Sequence, residues 1–195
     1  MEILARTLQA TGRYGPAVGE PPVLVDPRRW GALIGVVGGL VFIFSYAPPL
    51  GAAMSISAEI AGIGLALTVL FGHYIRPTSL GSLREPSRTA LLLYVCCVAG
   101  ELAAIAAGSG LLTSLGHANL RPALIAGVVG VHFLPFAWAF GERIFYRLGL
   151  TLLVLSSVGL IAGYAGVTHA AEASAVLSGL VMLALVALHA QGRFA

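Results

Sequence analysis

The sequence predicts an all-α integral membrane protein with six transmembrane helices, arranged as three antiparallel hairpins with both termini in the cytoplasm (N-in/C-in). Three observations predict this class: 58% of the 195 residues are hydrophobic, only 10% are charged, and the mean hydropathy is +0.93. A soluble domain has about a quarter of its residues charged, so this chain has too few charges to cover a surface in water. The composition therefore argues against a soluble globular protein, a disordered chain and a nucleic-acid-binding domain.

Six segments are apolar enough to cross a bilayer, which requires about 20 mainly apolar residues each. They are Trp30–Ala47, Met54–Tyr74, Thr89–Leu112, Ala123–Phe140, Leu148–Val167 and Ala173–Ala190. Pro48 and Pro49 end the first segment because proline cannot donate a helical hydrogen bond. Pro122 opens the fourth, since proline is tolerated in the first turn of a helix. Short connections of this kind predict antiparallel neighbours.

Residues 30–190 are predicted to form one transmembrane domain, because no connection is long enough to hold a soluble domain. A cytoplasmic N-terminal tail, 1–29, precedes this domain, and a short cytoplasmic tail, 191–195, follows it. Two interpretations of the first tail stay open. Glu2–Thr11 forms an interfacial helix with Ile3, Leu4 and Leu8 on one side, or the tail is loosely ordered.

The arginines predict the orientation. All eleven basic residues are arginine, and ten of them lie in the tails and in the second and fourth connections: Arg6, Arg13, Arg28, Arg29, Arg76, Arg84, Arg88, Arg143, Arg147 and Arg193. The other connections contain only Arg121. The positive-inside rule places the arginine-rich side in the cytoplasm, and the compact chain is typical of a bacterial inner (plasma) membrane protein.

Small residues recur at helical spacing and predict where the helices approach one another, because close backbone contact drives association in lipid. The stripes are Gly31, Gly35 and Gly39; Ala58, Gly62 and Ala66; Gly100, Ala104 and Gly108; and Gly159 and Gly163.

Three ionisable residues lie inside the predicted spans: Glu59, Glu101 and His132. A charge at the bilayer centre costs at least ~2.5–3.5 kcal/mol on insertion scales, so such residues normally face the bundle interior and have partners. The predicted depths of the three, at about 1.5 Å per residue, place them in the outer half of the bilayer or near its midplane. The sequence therefore predicts that they meet in one layer.

Three further residues are candidates to support this site. Ser55 and Cys97 each lie four residues before a glutamate, Glu59 and Glu101 respectively, and so share its helix face. Pro135 cannot bond to the carbonyl of Val131, which predicts a kink beside His132 and a free carbonyl next to the imidazole.

Such a Glu/Glu/His site predicts a small transporter or channel that handles protons or cations, because one proton can be loaded and released among the three groups. The alternative is a non-catalytic accessory or scaffold subunit, in which these groups only hydrogen-bond neighbouring helices. In that case the partners are other membrane subunits or further copies of the chain. A third hypothesis is an intramembrane metal-dependent enzyme using Cys97, Glu101, His132 and Glu59 as ligands. Enzymatic activity is the less favoured option.

No cofactor is predicted, although the sequence neither requires nor excludes a metal or a haem. His73 and His189 lie at similar depth near the cytoplasmic ends of two spans, so they are candidate axial haem ligands or simply interfacial side chains. His169 and Glu172 form an H-x-x-E pair in the last outer connection. The bilayer is the one partner that the composition requires, and no nucleic acid is expected.

Overall fold

The computed structural model describes residues 21–80 and 87–193. Within these ranges the chain forms six long α-helices and no β-strand. They are α1 (Pro27–Tyr46), α2 (Ala52–Leu70), α3 (Arg88–Ser114), α4 (Arg121–Phe140), α5 (Arg143–Tyr164) and α6 (Ala170–Ala190). Each of them, α2 with the turn that follows it, is long and apolar enough to cross a membrane. The predicted fold class is confirmed: the chain is a polytopic, all-helical integral membrane protein.

Local sequence signals explain where the helices begin. The Asp26 side chain accepts a hydrogen bond from the backbone N–H of Arg28 and caps α1, with Pro27 in the first turn. Ser87 caps α3 by accepting a bond of 3.1 Å from the N–H of Ala90. Short polar acceptors at these positions satisfy amide groups that have no partner inside the helix.

Some predicted boundaries differ from those observed. Helix α5 begins at Arg143, five residues before the predicted Leu148, and Ile144 is buried. Arg143 and Arg147 in the first two turns lower the local hydropathy without interrupting the helix. Helix α4 continues without interruption through Pro135, where the sequence predicts a kink, to Phe140. The N-terminal segment Glu2–Thr11 lies outside the described residues.

The last turn of α2 widens into a π-helix over Phe71–Ile75. His73 lies in this turn and is buried. A π-helix is uncommon, and single turns of it occur frequently at functional sites. The π-turn is therefore a feature that is typical of functional sites at this end of the bundle.

The six helices are unequally buried. Helix α6 is central and packs against α1, α2, α4 and α5. Of its apolar stretch of 18 residues, 61% is buried inside the protein. Helix α3 is peripheral and packs chiefly against α4. Only 6% of its apolar 18-residue stretch is buried. The core therefore forms around α6, and α3 leaves most of its apolar surface to the surroundings.

Candidate functional site

Glu101 and His132 form a contact between α3 and α4. The distance from His132 Nδ1 to Glu101 Oε2 is 2.9 Å, and the two side chains are only 10% and 19% exposed, respectively. Glu101 is the middle residue of the 27-residue α3, and His132 lies near the middle of the 20-residue α4. The structure thus brings two of the three predicted site residues together, far from both helix ends.

The short contact requires one proton between the two groups. A carboxylate and the bare lone pair of a neutral imidazole repel each other, whereas a single proton on either atom makes them donor and acceptor. Nδ1 of His132 is buried and, in spite of its 2.9 Å separation from Oε2, does not meet the geometry of a hydrogen bond, so the contact is a close approach of two ionisable groups. The terminal torsion of glutamate is broad, so rotation of the Glu101 carboxyl group is a low-cost way to convert this contact into a hydrogen bond.

Aromatic rings surround the imidazole. The rings of His132 and Phe136 meet edge-on at 4.3 Å between centroids, and Phe133 lies 5.4 Å away. Tyr94 of α3 stacks on Phe136 at 5.3 Å. Apolar rings keep water from this side of the pair, and a low local dielectric strengthens the interaction between Glu101 and His132.

Glu59, the third predicted site residue, has a different partner. Its Oε1 accepts a hydrogen bond of 2.7 Å from Ser55 Oγ on the same helix. Across residues 21–80 and 87–193, no hydrogen bond or ion pair joins Glu59 to Glu101 or His132. The predicted Ser55–Glu59 relation is therefore present, whereas a layer of three converging groups is not.

The structure does not support the metal variant of the site. Among the described residues, no three His, Cys, Asp or Glu side chains are grouped so that they could hold a metal ion. Cys97 is half-buried one turn from Glu101 and forms no disulfide with another described residue. The H-x-x-E pair at the start of α6 is loose, with 3.9 Å between His169 Nδ1 and Glu172 Oε1, and the His169 side chain is 47% exposed.

A second polar cluster, which the sequence analysis missed, lies where the π-helix meets the start of α1. Arg29 is only 2% exposed. Its Nη1 donates to the backbone oxygen of His73 at 2.7 Å, and its Nη2 donates to that of Thr78 at 3.0 Å. The guanidinium thereby satisfies one carbonyl group of the widened turn and one of the irregular segment that follows it.

Arg29 also sets the tautomer of His73. Its Nη1 lies 3.3 Å from His73 Nδ1, and because arginine can only donate, Nδ1 accepts and Nε2 carries the proton. Within the described ranges, His73 Nε2 and Nδ1 of neighbouring His189 have no hydrogen-bond partner. The two rings lie 6.3 Å apart, which leaves these polar groups close together at one end of the bundle.

The sequence alone does not predict this cluster. In the sequence Arg29 is one of the arginines that indicate topology, and nothing relates it to the two histidines, which are 116 positions apart along the chain. The one available signal was that Asp26, Arg28 and Arg29 adjoin a helix start with proline at its first position.

Comparisons of the chain with protein-family models, with curated proteins and with solved structures found no match. The function must therefore be inferred from the chain's own residues.

Proposed function

We propose that this chain is a small polytopic membrane protein that moves protons, alone or linked to a cation, with Glu101 and His132 as the proton-handling pair. The observation that carries the proposal is the 2.9 Å contact between these two side chains. Two ionisable groups on different helices share one proton there, and both are mostly removed from solvent. Ionisable groups at such depth typically mark proton or ion pathways in transporters.

The pair suits this task for a chemical reason. While one proton stays between Nδ1 of His132 and Oε2 of Glu101, a second proton that binds to Nε2 of His132 and leaves it changes the charge of the pair without separating the two side chains. In this proposal Glu59 stays outside the pair and acts through Ser55. We place the protein in a bacterial inner membrane with both termini cytoplasmic, which the arginine distribution supports.

The test is proton flux into proteoliposomes loaded with a pH-sensitive dye, driven by a membrane potential. We expect the wild-type chain to carry a flux that Glu101→Gln and His132→Gln reduce to the level of protein-free vesicles. Glu172→Gln is the matched control, because it removes a carboxyl group from the end of α6, and we expect it to retain the flux. Melting temperatures within a few degrees of wild type would show that loss of flux is not loss of fold.

A specific observation favours a second candidate, the accessory or scaffold subunit. Only 6% of the apolar 18-residue stretch of α3 is buried. Such an uncovered face suits a helix that packs against another membrane protein or a second copy of this chain. If the wild-type protein carries no flux above protein-free vesicles, the proton-handling proposal is wrong. The scaffold role then predicts that substitutions on α3 reduce retention of a partner subunit or of a homo-oligomer.

A further inference from the structure

A groove at the outer end of α3 combines an arginine with hydroxyl groups above an apolar base. Its lining is formed by Ile105, Ala106, Ser109, Gly110, Thr113, Ser114 and Arg121. Arg121 opens α4, and the other residues occupy the last turns of α3. The groove therefore lies between the two helices that also carry Glu101 and His132.

Ser109 is the residue that sets this groove apart from an ordinary helix surface. It is only 9% exposed, and its Oγ has no hydrogen-bond partner in the described part of the chain. A buried hydroxyl without a partner is unfavourable, because it has lost its hydrogen bonds to water without gaining one in the protein. Thr113 and Ser114 use their hydroxyl protons on backbone carbonyls of α3, so Ser109 is the hydroxyl donor that remains for a ligand.

Arg121 supplies the charge. It is exposed at the mouth of the groove, and no carboxylate of residues 21–80 or 87–193 forms an ion pair with it. A guanidinium presents a planar set of donors that matches a phosphate. The charge of the groove therefore favours an anionic group at this end.

The order of groups along α3 describes the shape of the ligand. From Ser114 to Ile105 the helix descends about 14 Å toward the middle of the bilayer, at about 1.5 Å per residue. The polar groups lie at the top, the unpartnered hydroxyl of Ser109 lies one turn deeper, and Ile105 and Ala106 form the base. A phospholipid has the same order of groups: a phosphate, then ester oxygens, then an acyl chain.

We propose that this groove binds one phospholipid, with its phosphodiester on Arg121, an ester oxygen accepting a hydrogen bond from Ser109, and an acyl chain along Ile105. This binding is independent of proton movement through Glu101 and His132. Inorganic phosphate shares the headgroup chemistry, and the experiment below distinguishes the two.

The test is native mass spectrometry of the full chain in detergent with three probes: dioleoyl phosphatidylglycerol, dioleoylglycerol and inorganic phosphate. We expect one phosphatidylglycerol to bind more tightly than dioleoylglycerol, which has the same chains but no phosphate. Arg121→Gln should weaken this binding about tenfold, which is about 1.4 kcal/mol, since it removes a charge-assisted hydrogen bond to the phosphate. Ser109→Ala should weaken it about threefold.

Arg143→Gln is the matched control. Arg143 is exposed in the first turn of α5, at the opposite end of the bundle, as Arg121 is in the first turn of α4. We expect binding to be unchanged in this variant. If Arg121→Gln does not fold, Arg121→Lys retains the charge without the planar donors and should weaken binding to an intermediate extent.

Three outcomes would overturn the proposal. Equal losses in Arg121→Gln and Arg143→Gln would indicate attraction to surface charge in general. Equal binding of dioleoylglycerol would show that the phosphate is not recognised. Displacement of the lipid by millimolar inorganic phosphate would assign the groove to a free anion.

Discussion

The contact between Glu101 and His132 gives each of two ionisable groups in an apolar layer a partner on the neighbouring helix. Either group alone in an apolar layer would lack a partner, and a buried polar group without a partner is expensive. Because the cost arises from the orphaned partner, removing both groups should be less damaging than removing either one. The two residues are therefore energetically coupled, whatever their role in transport.

A double-mutant cycle tests this coupling. We expect Glu101→Met and His132→Phe each to lower the free energy of unfolding by about 2 kcal/mol, because each leaves one buried polar group unsatisfied. The double variant should recover at least about 2 kcal/mol relative to the sum of the two, measured by reversible unfolding in mixed micelles. Glu59→Met combined with His132→Phe is the control pair and should be additive. Additive behaviour of the Glu101 and His132 variants would show that the contact contributes nothing.

Asp26 provides a prediction for pH. It is almost completely buried, caps α1 and pairs with Arg28 Nη2 at 2.9 Å. Burial by itself would raise the pKa of Asp26. The hydrogen bonds from Arg28 and the positive charges of Arg28 and Arg29 outweigh that effect, so the pKa lies below its ordinary value of 3.8. Folding therefore favours the ionised carboxylate.

The sign of the pH dependence follows from this shift. The pKa is lower in the folded state than in the unfolded state, so the ionised group contributes stability above pH 3.8 and loses it as the pH falls through the folded value. At pH 7 we expect Asp26→Asn to melt at a lower temperature than wild type. The difference should shrink as the pH falls from 4 toward 3, in melting curves followed by circular dichroism. A difference that does not change with pH would show that the charge of Asp26 does not matter.

At the scale of helices, two pairs of glycines bring backbones together. A Cβ on Gly179 of α6 would lie 2.6 Å from the backbone oxygen of Gly39 in α1. Between α4 and α5, a Cβ on Gly149 would lie 2.8 Å from the backbone oxygen of Gly130. Backbone atoms cannot move aside as the end of a side chain can. These two crossings therefore require residues without a side chain, which is how small residues promote association of helices in lipid.

A matched pair of alanine substitutions tests the crossings. Gly179→Ala should destabilise the protein by about 1–3 kcal/mol, because overpacking forces α1 and α6 apart. Gly100→Ala places the same methyl group where none of the described residues has an atom within 4 Å. It should be neutral or stabilising by up to about 1 kcal/mol, since alanine is the better helix former. Comparable losses in unfolding free energy for both variants would contradict this assignment.

The small-residue stripes show how far sequence reasoning reaches. Gly39, Gly62 and Gly108 all meet side chains of a neighbouring helix, as the stripes predict. Gly31 and Gly100 belong to the same stripes and meet nothing among the described residues. Spacing identifies a face of a helix, whereas the length of contact along that face depends on the crossing angle, which sequence spacing does not encode.

At the scale of the whole molecule, hydropathy and turn residues were sufficient to predict the six spans and the helical class. The arrangement of the spans around α6 was not predictable, because every span is apolar and lipid does not distinguish one apolar face from another. This is why depth alone placed Glu59 with Glu101 and His132, while the structure pairs it with Ser55. Depth gives the position of a residue along the membrane normal. Its position in the membrane plane depends on which helices are neighbours.

The orientation of the bundle stays a prediction, and single cysteines can test it. In a variant with Cys96 and Cys97 replaced by alanine, Thr168→Cys and Arg193→Cys place one thiol at each end of α6, both at exposed positions. Because the arginine-rich connections belong in the cytoplasm, we expect a membrane-impermeant maleimide to label position 168 in intact spheroplasts. Position 193 should react only after lysis. The reverse pattern would place both termini outside and the groove around Arg121 in the cytoplasmic leaflet. The phospholipid in the groove would then come from the cytoplasmic leaflet and not from the outer one.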